Sequence, residues 1–198
     1  MRKYVLVFIA GILLVPAAIY LYLRSGYAPV STSAHPLPFE RFFARLAMRA
    51  TLSHEVPKAD AVPPTEADLK AGANLYRENC AVCHGLPSVE QTAISKGMYP
   101  HPPQFFRPGR STAYDSSQPF HPTNPKAYWK VENGVRLTGM PDFRGSFTEQ
   151  QIREVSQFVS NARNLPPAVS AVLEGKSEQA ASAGSVAGSP QEKSSHNN

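Results

Sequence analysis

Cysteine is nearly missing from this chain. Of 198 residues only Cys80 and Cys83 are cysteines, which excludes a disulfide-built scaffold and any four-cysteine zinc site. Acidic side chains are almost absent from residues 1–59, where Glu40 and Glu55 stand against seven Lys/Arg. Residues 60–165 hold eleven basic and ten acidic side chains, and the remainder two and three. The net charge of +5 therefore belongs to the amino-terminal part. No basic patch is left on the central region, so nucleic-acid binding is rejected. Aromatic residues stop at Phe158, and from Gly175 onward Ser, Ala, Gly, Gln and Lys dominate. Residues 168–198 are read as a disordered tail. Proline, by contrast, is abundant, at nineteen residues, which predicts long irregular loops between a few helices.

The two cysteines occupy one motif, Cys80-Ala81-Val82-Cys83-His84. Thiols three residues apart with an imidazole on the next residue have the spacing of a c-type haem attachment site. On one helical turn Cys80 and Cys83 share a face, so each can add to a haem vinyl group, and His84 reaches the iron as proximal ligand. Other chemistries fit less well. A zinc site needs four ligands, and a reactive dithiol belongs at a helix N-terminus, whereas this pair ends a helical pattern and runs into Gly85. A structural disulfide leaves His84 without a role. The reading taken is one covalently attached haem c.

Upstream, an uncharged run from Tyr4 to Leu23 is bounded by Arg2-Lys3 and Arg24. Twenty residues at helical rise span about 30 Å, the thickness of a bilayer core. Tyr20, Tyr22 and Tyr27 gather at its far end as an interfacial belt would. A cleaved signal peptide with a site at Val15-Pro16-Ala17 would leave the apolar Ile19–Leu23 on the mature end, so residues 1–24 are taken as an uncleaved, single-pass inner-membrane anchor. Either reading exports the rest of the chain to the periplasmic side. Residues 25–64 form a membrane-proximal segment. In it Phe39, Phe42, Phe43, Leu46, Ala47 and Ala50 share a helical face; that helix lies on the membrane or a partner subunit, or packs on the next domain. Residues 53–64, with three prolines, read as a linker.

The central domain is placed at 65–167. Thr65 caps a helix whose face is Leu69, Gly72, Ala73 and Tyr76, running into Cys80. Residues 86–122 show little periodicity. Within them Pro102-Pro103-Gln104-Phe105-Phe106 is expected to wrap the His84 side, with a backbone carbonyl accepting the second ring N–H. Asn124-Pro125 opens a further helix, and Gly134 closes it. On it Trp129 covers the haem, reaches a propionate, or is plain core; Arg136, past its end, is a propionate partner or simply a solvated arginine. In Thr138-Gly139-Met140-Pro141 the thioether is a soft ligand for haem iron, making Met140 the expected sixth ligand, with Met98 as rival and His101 and His121 as weaker ones. Thr148 with Gln151, and Phe147 with Ile152, announce the last helix, whose stripe is Ile152, Val155, Phe158 and Val159. Pro166-Pro167 end it.

These motifs together resemble a class I monohaem cytochrome c of the membrane-anchored form. Gly72 and Tyr76 stand eight and four residues before Cys80, and Asn133-Gly134-Val135-Arg136 leads into Thr138-Gly139-Met140-Pro141. The resemblance implies an all-α fold in which the first and last helices cross around one haem. It implies one-electron transfer between redox protein partners, as a carrier with no substrate site of its own, free-standing or as the cytochrome subunit of a membrane dehydrogenase or oxidase complex. A haem enzyme or a sensor exchanging its ligand at Met140 is the other class, and a stable sixth ligand argues against it. Residues 36–64 and 86–122 depart from the minimal pattern.

Overall fold

A computed structural model describes residues 2–56, 63–106, 120 and 124–175. The chain divides into two units, Met1–Ala47 and Met48–Asn198. Among the described residues there are eight α-helices and no strand.

The first unit holds α1, Arg2–Arg24, which runs unbroken through Pro16. It is long and apolar enough to cross a membrane, and its described side chains are exposed. Helix α2, Glu40–Glu55, starts in this unit and ends in the second. Its first turn is closed by the Glu40 carboxylate, which accepts the Leu37 N–H at 2.8 Å.

In the second unit, α3 (Glu66–Asn79) begins at the expected Thr65, in a capping box with Asp68. It leads directly into the one-turn helix α4 (Ala81–His84) and, after a loop, the short α5 (Ala93–Gly97). Helix α6 (Pro125–Asn133) starts with Asn124 as N-cap and proline at its first position, and Gly134 ends it. Helix α7 (Glu149–Asn161) has the expected Thr148–Gln151 capping box.

Helices α3 and α7 cross where Gly72 removes a side chain. A Cβ there would lie 2.2 Å from the Glu154 carbonyl oxygen and 2.8 Å from the Phe158 Cβ. One turn on, Tyr76 packs against Phe158 with ring centroids 5.1 Å apart, and Phe106 joins both rings. Leu69, Ala73, Ile152 and Val155 complete the buried seam between the helices.

Three expected boundaries differ. The linker predicted from residue 53 begins later, because α2 continues to Glu55: Leu52 is buried, and the Glu55 carboxylate accepts the Trp129 indole N–H at 3.0 Å. The domain predicted to start at 65 accordingly includes the end of α2. The tail predicted from 168 instead opens with α8, Pro167–Leu173. Pro166-Pro167 do not end α7, which already stops at Asn161 with Ala162 as its C-cap; proline at a first helical position instead starts a helix here. Val169, Val172 and Leu173 are buried, and Arg77 of α3 donates to the Val172 carbonyl at 3.3 Å. Residues 57–62 of the linker, 107–119 and 121–123 of the proline-rich segment (with His121), and the tail past Gly175 lie outside the described residues.

The crossing yields a prediction. Forcing a methyl group against backbone costs about 1–3 kcal/mol and occasionally more, whereas replacing a mid-helix glycine returns about 1 kcal/mol. Gly72→Ala should therefore lower the thermal midpoint by several degrees, while Gly97→Ala, which meets nothing within 4 Å, should not. Equal midpoints for the two variants would contradict the close crossing.

Candidate haem-attachment site

A one-turn helix cannot satisfy its own carbonyls, since the last four C=O groups of any helix lack an intrahelical partner. Around α4 every one of them is met. Gly85 N–H donates to Ala81 O at 2.9 Å. The Thr92 hydroxyl donates to Val82 O at 2.6 Å, and Cys83 O accepts both the Ser95 hydroxyl at 2.6 Å and the Gln104 amide at 2.9 Å. Phe105 N–H approaches His84 O at 3.4 Å, and the Tyr76 hydroxyl donates to Gly85 O at 2.7 Å. Gly85 itself has φ +82°, and a Cβ there would meet the Gln104 side chain at 2.7 Å. The loop of residues 86–106, featureless by periodicity, thus serves as an external cap for the motif.

The same loop orients His84. Its Nδ1 lies 2.9 Å from Pro103 O. A carbonyl only accepts, so Nδ1 carries the proton and Nε2 keeps its lone pair for a metal. Phe105 stacks on the imidazole, centroids 5.0 Å apart and planes 18° from parallel. Burial lowers the His84 pKa, and the bond to Pro103 opposes that shift. The neutral ring is the form that ligates.

Cys80 and Cys83 are not bonded to one another. Burial, with the adjacent Cys83 adding to it, pushes the Cys80 thiol up to about 12. A thiol so rarely ionised is a poor nucleophile. Among the described residues no group of three or more His, Cys, Asp or Glu side chains could hold a metal ion.

Met140 reaches the site through a self-bonded turn. The Thr138 hydroxyl donates to Val135 O at 2.7 Å and accepts the Met140 N–H at 3.1 Å, while Val135 N–H donates to Met140 O at 3.2 Å. Gly134, at φ +66°, admits the returning chain: a Cβ there would lie 2.6 Å from Asp142 N. Phe143 N–H then bonds Val131 O at 3.1 Å, closing the loop on the end of α6.

Cys80, Cys83, His84, Met98 and Met140 all line one cavity of about 750 Å³, within the size range of cofactor sites, about 300–1,000 Å³. Met98 lies beside Gly139 in that lining: a Cβ at Gly139 would be 2.1 Å from the Met98 methyl carbon. His101 lines the cavity too. Trp129 and Arg136, the expected propionate partners, are not among its lining residues. The Trp129 N–H is taken by Glu55, and Arg136 is exposed beyond the end of α6. The cations that do line it are Lys126 and Lys130, one turn apart on α6, and Arg163. Their i, i+4 spacing was the available sequence signal. Ser95 was missed altogether, and Gln104 was foreseen only as part of the 102–106 wrap and not as a cap, since nothing local marks a side chain that caps a distant turn.

The residues present fit a covalently attached haem: two unpaired thiols, an imidazole in the ligating tautomer and thioethers share one apolar-walled cavity. Residues 67–159 match the family described as cytochrome c oxidase, cbb3-type, subunit III, a class I c-type cytochrome family. Comparison with curated proteins and with solved structures found no significant match. A domain of this family carries haem and transfers electrons.

The capping network predicts an ordering of effects. Gln104 makes three bonds, to Cys83 O, Ser95 Oγ and Pro102 O, whereas Gln91 makes one, to Ser95 Oγ. Gln104→Ala should cost the holoprotein about 1–3 kcal/mol in denaturant unfolding, and Gln91→Ala about 0.5–1.5 kcal/mol. Indistinguishable losses would mean that the loop does not hold the motif.

Proposed function

We propose that the chain carries one haem c, bonded through Cys80 and Cys83 and ligated by His84 and Met140, and passes single electrons between redox protein partners at a membrane. The observation that carries this reading is the shared cavity, lined by Cys80, Cys83, His84 and Met140, with the His84 Nδ1 occupied by Pro103 O. The haem supplies reversible one-electron chemistry; the polypeptide sets its potential and presents an edge to partners. Residues Tyr76, Ser95, Gln104 and Pro103 keep the attachment turn and the imidazole in place. The turn of residues 135–140 does the same for the thioether. Lys126, Lys130 and Arg163 offer positive charge to the propionates.

Residues 1–24, through helix α1, are the membrane anchor, and the unit from Met48 through α8 is the haem domain, on the exported side where c-type haem is attached. The family's description supports placement as the cytochrome subunit of a membrane oxidase complex. Residues 60–165 sum to +1 from eleven basic and ten acidic side chains, and two propionates bring this to about −1, so long-range steering by net charge should be weak. A carrier needs no substrate pocket beyond the haem crevice itself.

Met98 supports a second reading of the sixth ligand, because it lines the same cavity. The favoured ligand is Met140, whose own backbone is fixed on both sides by the 135–140 turn. Met140→Ala should lower the reduction potential and open the ferrous iron to carbon monoxide, while Met98→Ala should leave carbon monoxide excluded. The reverse pattern would assign the iron to Met98. Unmodified ferrous protein should bind carbon monoxide slowly or not at all; fast binding with turnover of peroxide or nitric oxide would make it an enzyme.

A further inference from the structure

Helix α2 has two apolar faces, and only one of them is used. At 100° per residue, Met48, Leu52 and Glu55 fall on one side of the helix. There Leu52 is buried, Met48 lines the haem cavity and Glu55 accepts the Trp129 indole N–H. Phe42, Phe43, Leu46 and Ala50 fall on roughly the opposite side of the same helix. Phe42, Phe43 and Leu46 are 60%, 61% and 53% exposed. The two rings meet edge to face, centroids 5.4 Å apart, so they form one patch rather than scattered contacts. Phe39, immediately before the helix, adds a further exposed ring.

A patch of adjoining large apolar side chains on a soluble surface marks a binding face. Its chemistry selects the occupant. Arg45 and Arg49 flank the aromatic stripe, and a helix with aromatics on one face and arginines beside it suits the boundary between lipid headgroups and acyl chains. Chain length points the same way. Only residues 25–39, fifteen positions, separate α1 from α2, and even fully extended they span no more than about 50 Å.

We propose that α2 lies along the membrane surface with Phe42, Phe43 and Leu46 in the interfacial layer, and that its opposite face holds the haem domain. This rests on α1 crossing the bilayer. Arg45 and Arg49 then meet anionic headgroups, and the haem unit is held at the surface by a helix rather than hung on a flexible leash.

The test uses the full-length haem protein in phosphatidylcholine–phosphatidylglycerol vesicles. Single nitroxide labels are placed by Phe43→Cys, Leu46→Cys, Ala44→Cys and Leu13→Cys, the native thiols being consumed by haem. Collision with oxygen reports lipid, and collision with a water-soluble nickel chelate reports solvent. The ratio of oxygen to nickel accessibility should be at least about threefold higher at positions 43 and 46 than at 44, which lies on the other side of the helix. Equal, nickel-accessible labels at 43, 44 and 46 would overturn the proposal. So would shielding of 43 and 46 from both reagents, which would mean that a second copy or another subunit covers the face. Leu13→Cys separates the two readings: a deep lipid signature there keeps the anchor whatever α2 does, and nickel access there removes the anchor itself.

Discussion

The attachment turn is too short to hold itself, and the rest of the haem domain is arranged around that deficit. Helix α4 has four residues, and the carbonyls from Ala81 to Gly85 each find a donor. The donors come from α3, from the segment around α5 and from the loop at 102–106. Leaving a buried carbonyl unpaired costs about 1–3 kcal/mol, comparable with a large part of a small domain's net stability. The segment 86–106 after His84 therefore supplies what the short turn lacks. It delivers Thr92, Ser95 and Gln104 to the turn, Pro103 to the imidazole, and Phe106 to the core.

The second requirement is a rigid wall for the opposite side of the cavity. Close contact of α3 with α7 at Gly72 fixes the helix that ends at Cys80, and α6 packs on α7. Gly134 lets the chain fold back over α6, so that Met140 is presented from a turn whose polar groups bond one another. Thiols and thioether thus arrive from parts of the chain sixty residues apart, each on a framework that does not depend on the cofactor for its hydrogen bonds. Such prearrangement suits electron transfer, in which neither protein nor ligand set should reorganise much between oxidation states.

Much of this was legible in the sequence, because the signals are local. Thr65, Asn124 and Thr148 cap the helices that they precede, Gly72 and Tyr76 mark the crossing, and the Cys80–His84 spacing states its own chemistry. The carbonyl partner of His84 was also foreseen within Pro102–Phe106. What escaped depends on contacts between distant residues. Trp129 looked like a haem neighbour until Glu55, 74 positions away, was found to hold its N–H. Ser95 is a buried serine with four hydrogen-bonding neighbours drawn from three segments, and no periodicity announces it. Helix α8 was hidden by two prolines read as an end, which the structure uses as a beginning. The choice between Met98 and Met140 is of the same kind: both thioethers reach the cavity, and sequence spacing alone does not weigh them.

The central claim is that Cys80 and Cys83 bond one haem to this chain. The most direct measurement is the intact mass of the native protein after denaturation and removal of free cofactor. The account predicts the mass of the polypeptide plus one haem. The mass of the bare chain, or that of the chain less two hydrogens as a Cys80–Cys83 disulfide, would contradict it.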